Sequence, residues 1–235
     1  MDAVQLQRTY LDLTTPHVAD ACMRLDVPVR SAPATMRPLW SDTHLSGRVN
    51  PVRHFGSVDV FLEAIDRAVP GDVMVVDNGG RVDEACVGDL ITLEASRAGL
   101  AGIVIWGLHR DTRELRTIRL PVFSMGALPA GPQRLDPMDA AVLASAHVGE
   151  HLVTSDDFVL ADEDGVLFVP LDKATAVASL AAAIRDTERQ QAAHMQLGTS
   201  FRKQARFDEY LAARSADRGL TFRQYLRSIG GAIEE

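Results

Sequence analysis

A stretch of alternating strand and helix signals, residues 71–116, constrains the fold of this chain more than any other feature. Two apolar runs, Val73–Val76 and Ile103–Trp106, are predicted to be buried strands. Between them lie a glycine loop at Gly79–Gly80 and a helix that opens near Gly88–Asp89. Two strand ends and one helix N-terminus would converge on one spot, where unpaired N–H groups and the helix dipole favour an anion. The stretch therefore predicts an α/β fold with a ligand site at that spot.

Composition excludes several classes of protein. The 235 residues include only two cysteines, Cys22 and Cys86, which argues against a disulfide framework or a thiolate zinc site and indicates a reducing compartment. A net charge of −8 and a pI near 5.4 disfavour nucleic acid as a partner, because phosphates require a basic face. With no leader pattern and no apolar run of membrane-spanning length, a cytoplasmic protein without a membrane partner is expected.

The flanking sequence predicts further elements around this stretch. Turn residues, apolar periodicity and capping residues are the signals used. They predict a helix from Thr15–Pro16, a strand over 47–53, a helix capped by Ser57, a strand over 121–125, a loop over 126–137, alternating β-like residues over 141–153, and a hairpin that joins 158–160 to 166–169.

The C-terminal part is predicted to be helical. Asp172 caps an alanine-rich helix that runs to about Leu197 and is ended by Gly198, and aromatic residues recur at helical spacing in the tail, 201–235. This is more helical surface than one compact domain needs to cover itself. The sequence therefore predicts packing on a neighbouring subunit in a homo-oligomer.

Two motifs are interpreted as unrelated to function. His147 and His151 fit H-x-x-E-H, a zinc-protease spacing, but Gly149 and the flanking β-like residues argue against the helix that this motif needs. In a strand the two histidines would lie about 13 Å apart. The Gly79–Gly80 pair lacks the G-x-G-x-x-G order and the lysine of a nucleotide-binding loop, so it is weak support for nucleotide binding.

The strongest candidate site combines Asp89, Arg110 and Asp111. Twenty residues separate Asp89 from Arg110, so a helix start and a strand end would place all three at one pocket. Two carboxylates with open water positions suit Mg²⁺ or Mn²⁺, and a guanidinium suits a substrate carboxylate or oxyanion. The alternative stays open at this point: Asp89 as a helix-start residue favoured by the dipole, and Arg110–Asp111 as a surface turn.

The order D-x20-R-D within GDVMVVDNGG…GDLITLEASRAGLAGIVIWGLHRDTREL resembles the class II pyruvate aldolases of the RraA-like family. These enzymes cleave 4-hydroxy-4-methyl-2-oxoglutarate and 4-carboxy-4-hydroxy-2-oxoadipate. The likeness extends to DACMRLDVP and ADEDGVLFVP and covers most of residues 10–200. The family also contains non-catalytic regulators of ribonuclease E, which tend to lack the two aspartates, so their presence here favours an enzyme.

The resemblance implies a role for each candidate residue. Asp111 would coordinate the divalent metal directly, and Asp89 would hold metal-bound water. The backbone N–H groups of Leu90 and Ile91 would receive the pyruvate carboxylate, and Arg110 would bind the carbonyl or enolate oxygen. The general base is left open between a water held at the metal or a carboxylate and His109, which adjoins Arg110.

The resemblance also implies the architecture and assembly. It predicts a swivelling β/β/α domain over residues 1–170 and a helical extension over 171–235, in a homotrimer or homohexamer with sites between subunits. Glu188 would reach the metal waters of a neighbouring subunit, ten residues before Gly198. The predicted reaction is metal-dependent retro-aldol cleavage of a 4-hydroxy-2-oxo acid, with oxaloacetate decarboxylation beside it. The alternatives are a non-catalytic regulator and a lyase for a sugar-acid-derived 2-oxo acid.

Overall fold

The computed structural model of this chain describes residues 3–138 and 140–230. The helices of the described residues are α1 (Ala3–Tyr10), α2 (Thr15–Arg24), α3 (Asp59–Arg67), α4 (Asp89–Arg97), α5 (Thr112–Ile118), α6 (Leu171–Gln196), α7 (Phe201–Gln204), α8 (Phe207–Ala216) and α9 (Phe222–Ser228). The strands are β1 (Arg30–Ser31), β2 (Arg37–Pro38), β3 (Leu45–Arg53), β4 (Val73–Asp77), β5 (Ala85–Val87), β6 (Gly102–Trp106), β7 (Leu108–His109), β8 (Val122–Ser124), β9 (Ser145–Val148), β10 (His151–Thr154), β11 (Asp157–Asp162) and β12 (Gly165–Pro170).

Eight of the strands form one mixed sheet, in the order β1-β12-β11-β3-β4-β6-β8-β2. Its centre, β3-β4-β6-β8, is parallel, and the flanking pairs β3–β11, β11–β12, β1–β12 and β2–β8 are antiparallel. Helices connect the parallel strands, since α3 lies between β3 and β4 and α4 between β4 and β6. The predicted α/β class and the long C-terminal helix are confirmed.

Apolar residues cover both faces of the parallel strands. Along β4, Met74 and Val76 belong to a core cluster that includes residues of α3 and α4, whereas Val73 and Val75 belong to a second cluster with residues of β9 and β10. Successive side chains of a strand point to opposite faces, so a strand covered on both sides is apolar throughout. This explains why Val73–Val76 is a continuous apolar run rather than an alternating one.

Two small sheets complete the β structure, and one of them builds the site. Strands β5 and β7 form a parallel pair in which Ala85 lies opposite Leu108 and Val87 opposite His109. Strands β9 and β10 form an antiparallel hairpin that turns at Gly149, whose φ is +61°. The hairpin of β11 and β12 around Asp162–Gly165 is the predicted one.

Two sequence expectations are corrected. Helix α3 begins at Asp59, with Val58 rather than Ser57 at its N-cap and no side-chain capping bond. Helix α5, directly after Asp111, was not expected because its sequence, TRELRTI, buries only Leu115 and has too little apolar periodicity to be recognised.

The chain forms two compact units, one ending at Ala178 and one beginning at Ser179. Helix α6 runs across this boundary as one element of 26 residues, and Gly198 follows it with a φ of +95°. In the second unit, α8 and α9 hold a cluster of rings in which Phe207, Tyr210, Phe222 and Tyr225 are in contact. No helix within the described ranges is both long and apolar enough to cross a bilayer.

Candidate active site

The parallel pair of β5 and β7 brings the three predicted residues together. Gly88 and Asp89 follow β5, and Arg110 and Asp111 follow β7. The Arg110 N–H donates to the Val87 carbonyl oxygen at 2.9 Å, which continues the pairing to the strand ends. Because the two strands are parallel, their carboxyl ends meet at the same edge. Asp111 therefore lies in contact with both Asp89 and Arg110, and their shared role in one binding site stays a prediction.

The backbone of Asp111 has an uncommon conformation. Its φ of 58° and ψ of 39° lie in the left-handed region, which side chains other than those of glycine, asparagine and aspartate seldom adopt. Although Asp111 is the N-cap residue of α5, its carboxylate does not cap that helix. It is directed instead at the start of α4, where Oδ2 accepts a hydrogen bond from the Asp89 N–H at 3.3 Å.

Carboxylate oxygens occupy the N-terminus of α4. The first helical hydrogen bond of α4 runs from the Thr92 N–H to the Gly88 carbonyl, so the N–H groups of Asp89, Leu90 and Ile91 precede the helical ladder. Asp89 Oδ1 accepts from the Leu90 N–H at 2.7 Å, and Asp111 Oδ2 accepts from the Asp89 N–H. The predicted binding of a substrate carboxylate at Leu90 and Ile91 would therefore require Asp89 to release the Leu90 N–H.

Gly88 permits this close approach of two segments. A Cβ atom added at Gly88 would lie 2.4 Å from Asp111 Oδ2 and 3.2 Å from Arg110 Nε. The Arg110 guanidinium is itself 3.5 Å from Asp111 Oδ2, measured at Nε. The two side chains remain 49% and 36% exposed, so both are open to a ligand. The sequence signal for this contact was the Gly-Asp pair at the helix start.

A cavity of about 420 Å³ lies beside these groups. Asp89, Arg110 and the first turn of α4 line one part of it. Most of the remaining wall is apolar and comes from the start of α3, β5, α4 and the loop after β8, and α4 adds two charged side chains: Val58, Leu62, Ala85, Cys86, Leu93 and Pro132, with Glu94 and Arg97. An apolar cavity with a few convergent charged groups is typical of a small-molecule site.

His109 does not face this cavity. Its Nδ1 lies 2.8 Å from Ser124 Oγ, its Nε2 lies 3.0 Å from Thr112 Oγ1, and the residue is buried. Burial lowers the pKa of His109, and the nearby positive charge of Arg116 lowers it further. Both ring nitrogens therefore lie against hydroxyl groups of Ser124 and Thr112, which disfavours His109 as the general base.

The donor set fits a hard divalent cation. No group of three or more histidine, cysteine, aspartate or glutamate side chains gathers as a metal site in the described part of the chain. Asp111 and Asp89 nevertheless both present carboxylate oxygens at the start of α4, beside Gly88, whose lack of a side chain allows Asp111 to approach. Mg²⁺ binds with one or two protein carboxylates and keeps several waters, so this set is sufficient for it.

The other singled-out residues lie elsewhere. Glu188 is exposed on α6, in the second compact unit, and its predicted role toward a neighbouring subunit stays a prediction. His147 and His151 lie on β9 and β10, on either side of the turn at Gly149, so the helical zinc-protease arrangement is absent from this segment. His147 instead contacts Asp77, with 3.5 Å between Nδ1 and Oδ2.

Comparison with known proteins finds one matching family model and several similar proteins. The family model described as RraA-like, Aldolase/RraA, matches residues 15–168. The 4-hydroxy-4-methyl-2-oxoglutarate aldolase of Thermus thermophilus is 30% identical over 138 residues, which cover 59% of this chain and 83% of that protein. Protein DlpA of Legionella pneumophila is 33% identical over 125 residues, 53% of this chain; that match spans only 20% of its own length.

A solved structure extends the likeness to the fold. Streptomyces coelicolor RraAS2, described as an unusual member of the RNase ES inhibitor RraA protein family, superposes with a TM-score of 0.69 at 25% identity. The match covers 81% of this chain and 96% of that one. Proteins similar to this chain therefore carry both an aldolase name and an inhibitor name.

Proposed function

This chain belongs to the RraA-like family, and on that premise we propose that it is a divalent-metal-dependent aldolase. The proposed reaction cleaves a 4-hydroxy-2-oxo acid, of the 4-hydroxy-4-methyl-2-oxoglutarate or 4-carboxy-4-hydroxy-2-oxoadipate type, to pyruvate and a second oxo acid. The observation that supports it is the convergence of Asp89, Arg110 and Asp111 on the N-terminus of α4, beside the cavity. Decarboxylation of oxaloacetate is proposed as a side activity.

Mg²⁺, or Mn²⁺, is the proposed cofactor. Asp111 would hold the ion directly and Asp89 through a water molecule, since both carboxylates lie at the start of α4 and oxygen donors suit these ions. When bound there, the cation would act as a Lewis acid that stabilises negative charge on the substrate oxygen.

Arg110 is the proposed stabiliser of the developing charge. In the cleavage, the C4 hydroxyl loses its proton, the C3–C4 bond breaks, and its electron pair moves to the C2 carbonyl to form the enolate of pyruvate. Loss of carbon dioxide from oxaloacetate produces the same enolate. A guanidinium aimed at that oxygen binds more tightly as charge develops, which lowers the barrier of both reactions.

The N-terminus of α4 is the proposed site for the substrate carboxylate. Its N–H groups already donate to carboxylate oxygens of Asp89 and Asp111, which stand in for an external anion. On binding, the substrate carboxylate would take the N–H groups of Leu90 and Ile91, and Asp89 would turn toward water. A water held by Asp89 is then the simplest acceptor for the hydroxyl proton, and the partner subunit's Glu188 is proposed to assist it.

The test is pyruvate formation from oxaloacetate and from 4-carboxy-4-hydroxy-2-oxoadipate, with Mg²⁺ or with EDTA. Asp111→Asn keeps the size of the side chain and removes its charge, so kcat/KM is expected to fall about 100-fold or more. Gly88→Ala is expected to lower it too, because the methyl group would displace Asp111 Oδ2. Asp83→Asn, an exposed aspartate before β5, is the matched control and should retain activity.

A non-catalytic regulator is the second candidate, and the likeness to RraAS2 is the observation that favours it. One experimental outcome distinguishes the regulator from the aldolase. A wild-type protein that is folded and binds Mg²⁺, yet forms no pyruvate from either compound, would favour a regulator or a lyase for a sugar-acid-derived 2-oxo acid.

A further inference from the structure

The loop over residues 126–137 lies against the guanidinium of Arg110. A Cβ atom added at Gly131 would be 2.9 Å from Nη1 and 3.8 Å from Cζ of Arg110, so a side chain there would require the end of the guanidinium to shift. The next residue, Pro132, lines the cavity together with Arg110. This loop therefore forms one wall of the space that the Arg110 side chain occupies.

A partly buried ion pair anchors the loop. Arg134 Nε donates to Glu84 at 3.0 Å from Oε1 and 3.3 Å from Oε2, and Nη2 also lies 3.0 Å from Oε1. The Glu84 side chain is only 6% exposed. One residue later, the Ala85 N–H donates to the Ala130 carbonyl at 2.8 Å. Gly131 and Pro132 thus lie between two attachments to the start of β5.

The anchor continues into the core of the first unit. Arg134 Nη2 donates to Asn78 Oδ1 at 3.0 Å, and His54 Nδ1 lies 2.8 Å from the same oxygen. Asn78 and His54 are buried and directly follow β4 and β3, and the His54 ring stacks on Phe61 of α3. Because an oxygen with two close nitrogens must accept from both, His54 carries its proton on Nδ1. The loop is therefore held by central strands of the sheet.

Arg110 needs such support. Its ion pair with Asp111 is 3.5 Å long and its side chain is half-exposed, so that contact alone is too long to orient the guanidinium. An arginine also has many rotamers to lose when it is held in one geometry. A guanidinium that stabilises developing charge lowers the reaction barrier most when it is oriented before the reaction, and small displacements of the group reduce the rate strongly.

We propose that the Glu84–Arg134 ion pair is a positioning element for Arg110, because it holds Gly131 and Pro132 against the guanidinium and directs that group toward Asp111 and the cavity. Glu84 and Arg134 touch no substrate in this scheme and act through the loop. The catalytic consequence rests on the proposed function, whereas the placement of Arg110 does not.

Paired variants test this proposal. Glu84→Gln with Arg134→Gln removes both charges together, so neither is left buried and alone. Gly131→Ala leaves the ion pair intact and places a methyl group against Arg110 Nη1. The matched control is Arg30→Gln with Asp157→Asn, which removes another partly buried pair whose side chains are 20% and 9% exposed, close to the 19% and 6% of Arg134 and Glu84.

The measurements are kcat and KM for oxaloacetate with Mg²⁺, together with crystal structures of the wild type and the Glu84→Gln/Arg134→Gln protein. Both loop variants are expected to lose about 10- to 100-fold in kcat with little change in KM, since a displaced Arg110 weakens binding of the transition state more than of the substrate. In the crystal, the guanidinium should leave Gly131. The Arg30→Gln/Asp157→Asn control is expected to keep the wild-type kcat.

The possible outcomes separate this proposal from the proposed function. Wild-type kcat in both loop variants, with Arg110 still against Gly131 in the crystal, would overturn the positioning role. An equal loss in the control pair would also overturn it, because any broken ion pair would then have the same effect. An inactive wild-type protein would refute the proposed aldolase function but not the positioning role. The position of Arg110 in the two crystal structures would then decide whether the Glu84–Arg134 pair orients its guanidinium.

Discussion

Asp111 shows how one residue connects backbone strain with chemistry. Its left-handed backbone conformation costs on the order of 1 kcal/mol for a residue other than glycine. The Asp111 side chain forms no capping hydrogen bond with α5 and instead accepts one from the start of α4. A strained residue whose side chain serves another segment is typical of a functional position. The backbone of Asp111 therefore supports its proposed role in metal binding.

The buried histidines predict a pH-dependent stability. Burial lowers the pKa of His54 and of His109 below the usual value of 6.5. The unfolded chain then binds more protons than the folded one below that pH, so the free energy of unfolding should be highest above pH 6.5 and decrease as the pH falls from there. Urea unfolding at a series of pH values between 5 and 8 measures this dependence.

His109→Gln isolates one contribution to that dependence. Without a titrating group at this position, the decrease in the free energy of unfolding below pH 6.5 should be smaller than in the wild type. His194→Gln, on the exposed surface of α6, serves as the control and should leave the dependence unchanged. A His109→Gln protein with the full wild-type dependence would contradict the assignment.

The elements that build the site are among the shortest in the chain. Strands β5 and β7 have three and two residues, yet their parallel pairing determines where Asp89 and Arg110 lie. Neither strand was predicted, because two or three residues carry no periodicity. The convergence was nevertheless expected from the longer strands β4 and β6, whose apolar runs are unmistakable in the sequence.

The contact between α2 and the β11–β12 hairpin yields an element-scale prediction. Asp162 accepts from the Thr15 N–H and hydroxyl, both at 2.7 Å, and from the Asp164 N–H at 3.0 Å. Asp162→Ala would leave these donors without their acceptor, so the free energy of unfolding should fall by about 2–4 kcal/mol in urea denaturation. Asp164→Ala, exposed on the same turn, should change it by less than about 0.5 kcal/mol.

At the scale of the whole molecule, the RraA-like fold predicted from sequence is confirmed by the family model and by the likeness to solved structures. The assignment of a catalytic domain to 1–170 and of a subunit-packing extension to 171–235 stays a prediction. So does the homotrimer or homohexamer. Apolar side chains exposed beside the cavity support an assembly, since Leu90 is 75% exposed and Leu62 is 49% exposed.

The assembly can be tested by mass. Sedimentation of the wild type should give three or six times the 25.5 kDa of one chain. Leu62→Glu is expected to shift the protein to smaller species, because a charge would be buried in an apolar interface. Met23→Glu is the control and should leave the mass unchanged, since Met23 on α2 is 56% exposed, similar to Leu62. A wild type that sediments as a single 25.5-kDa chain would contradict the predicted oligomer.

Much of the fold and part of the site could be predicted from local signals. Several elements have a local sequence pattern whose length and periodicity identify them. These are the apolar runs Val73–Val76 and Ile103–Trp106, the Asp-Gly hairpin and the alanine-rich helix. The D-x20-R-D spacing placed Asp89 and Arg110 at consecutive strand–helix junctions. By contrast, no local signal marked Arg134, which was not recognised because its partners, Glu84 and Asn78, are about fifty residues away.

The sequence alone thus determined the α/β class, the order of the main elements and the helix start at Asp89, and it predicted which residues form the candidate site. The tertiary structure decided how these parts meet: the pairing of β5 with β7, the loop of Gly131 against Arg110, and the Asp89 carboxylate on the Leu90 N–H. The physical reason is that periodicity and capping act over a few neighbouring residues. Pairing and packing instead join residues far apart in the chain, and no local pattern encodes those contacts.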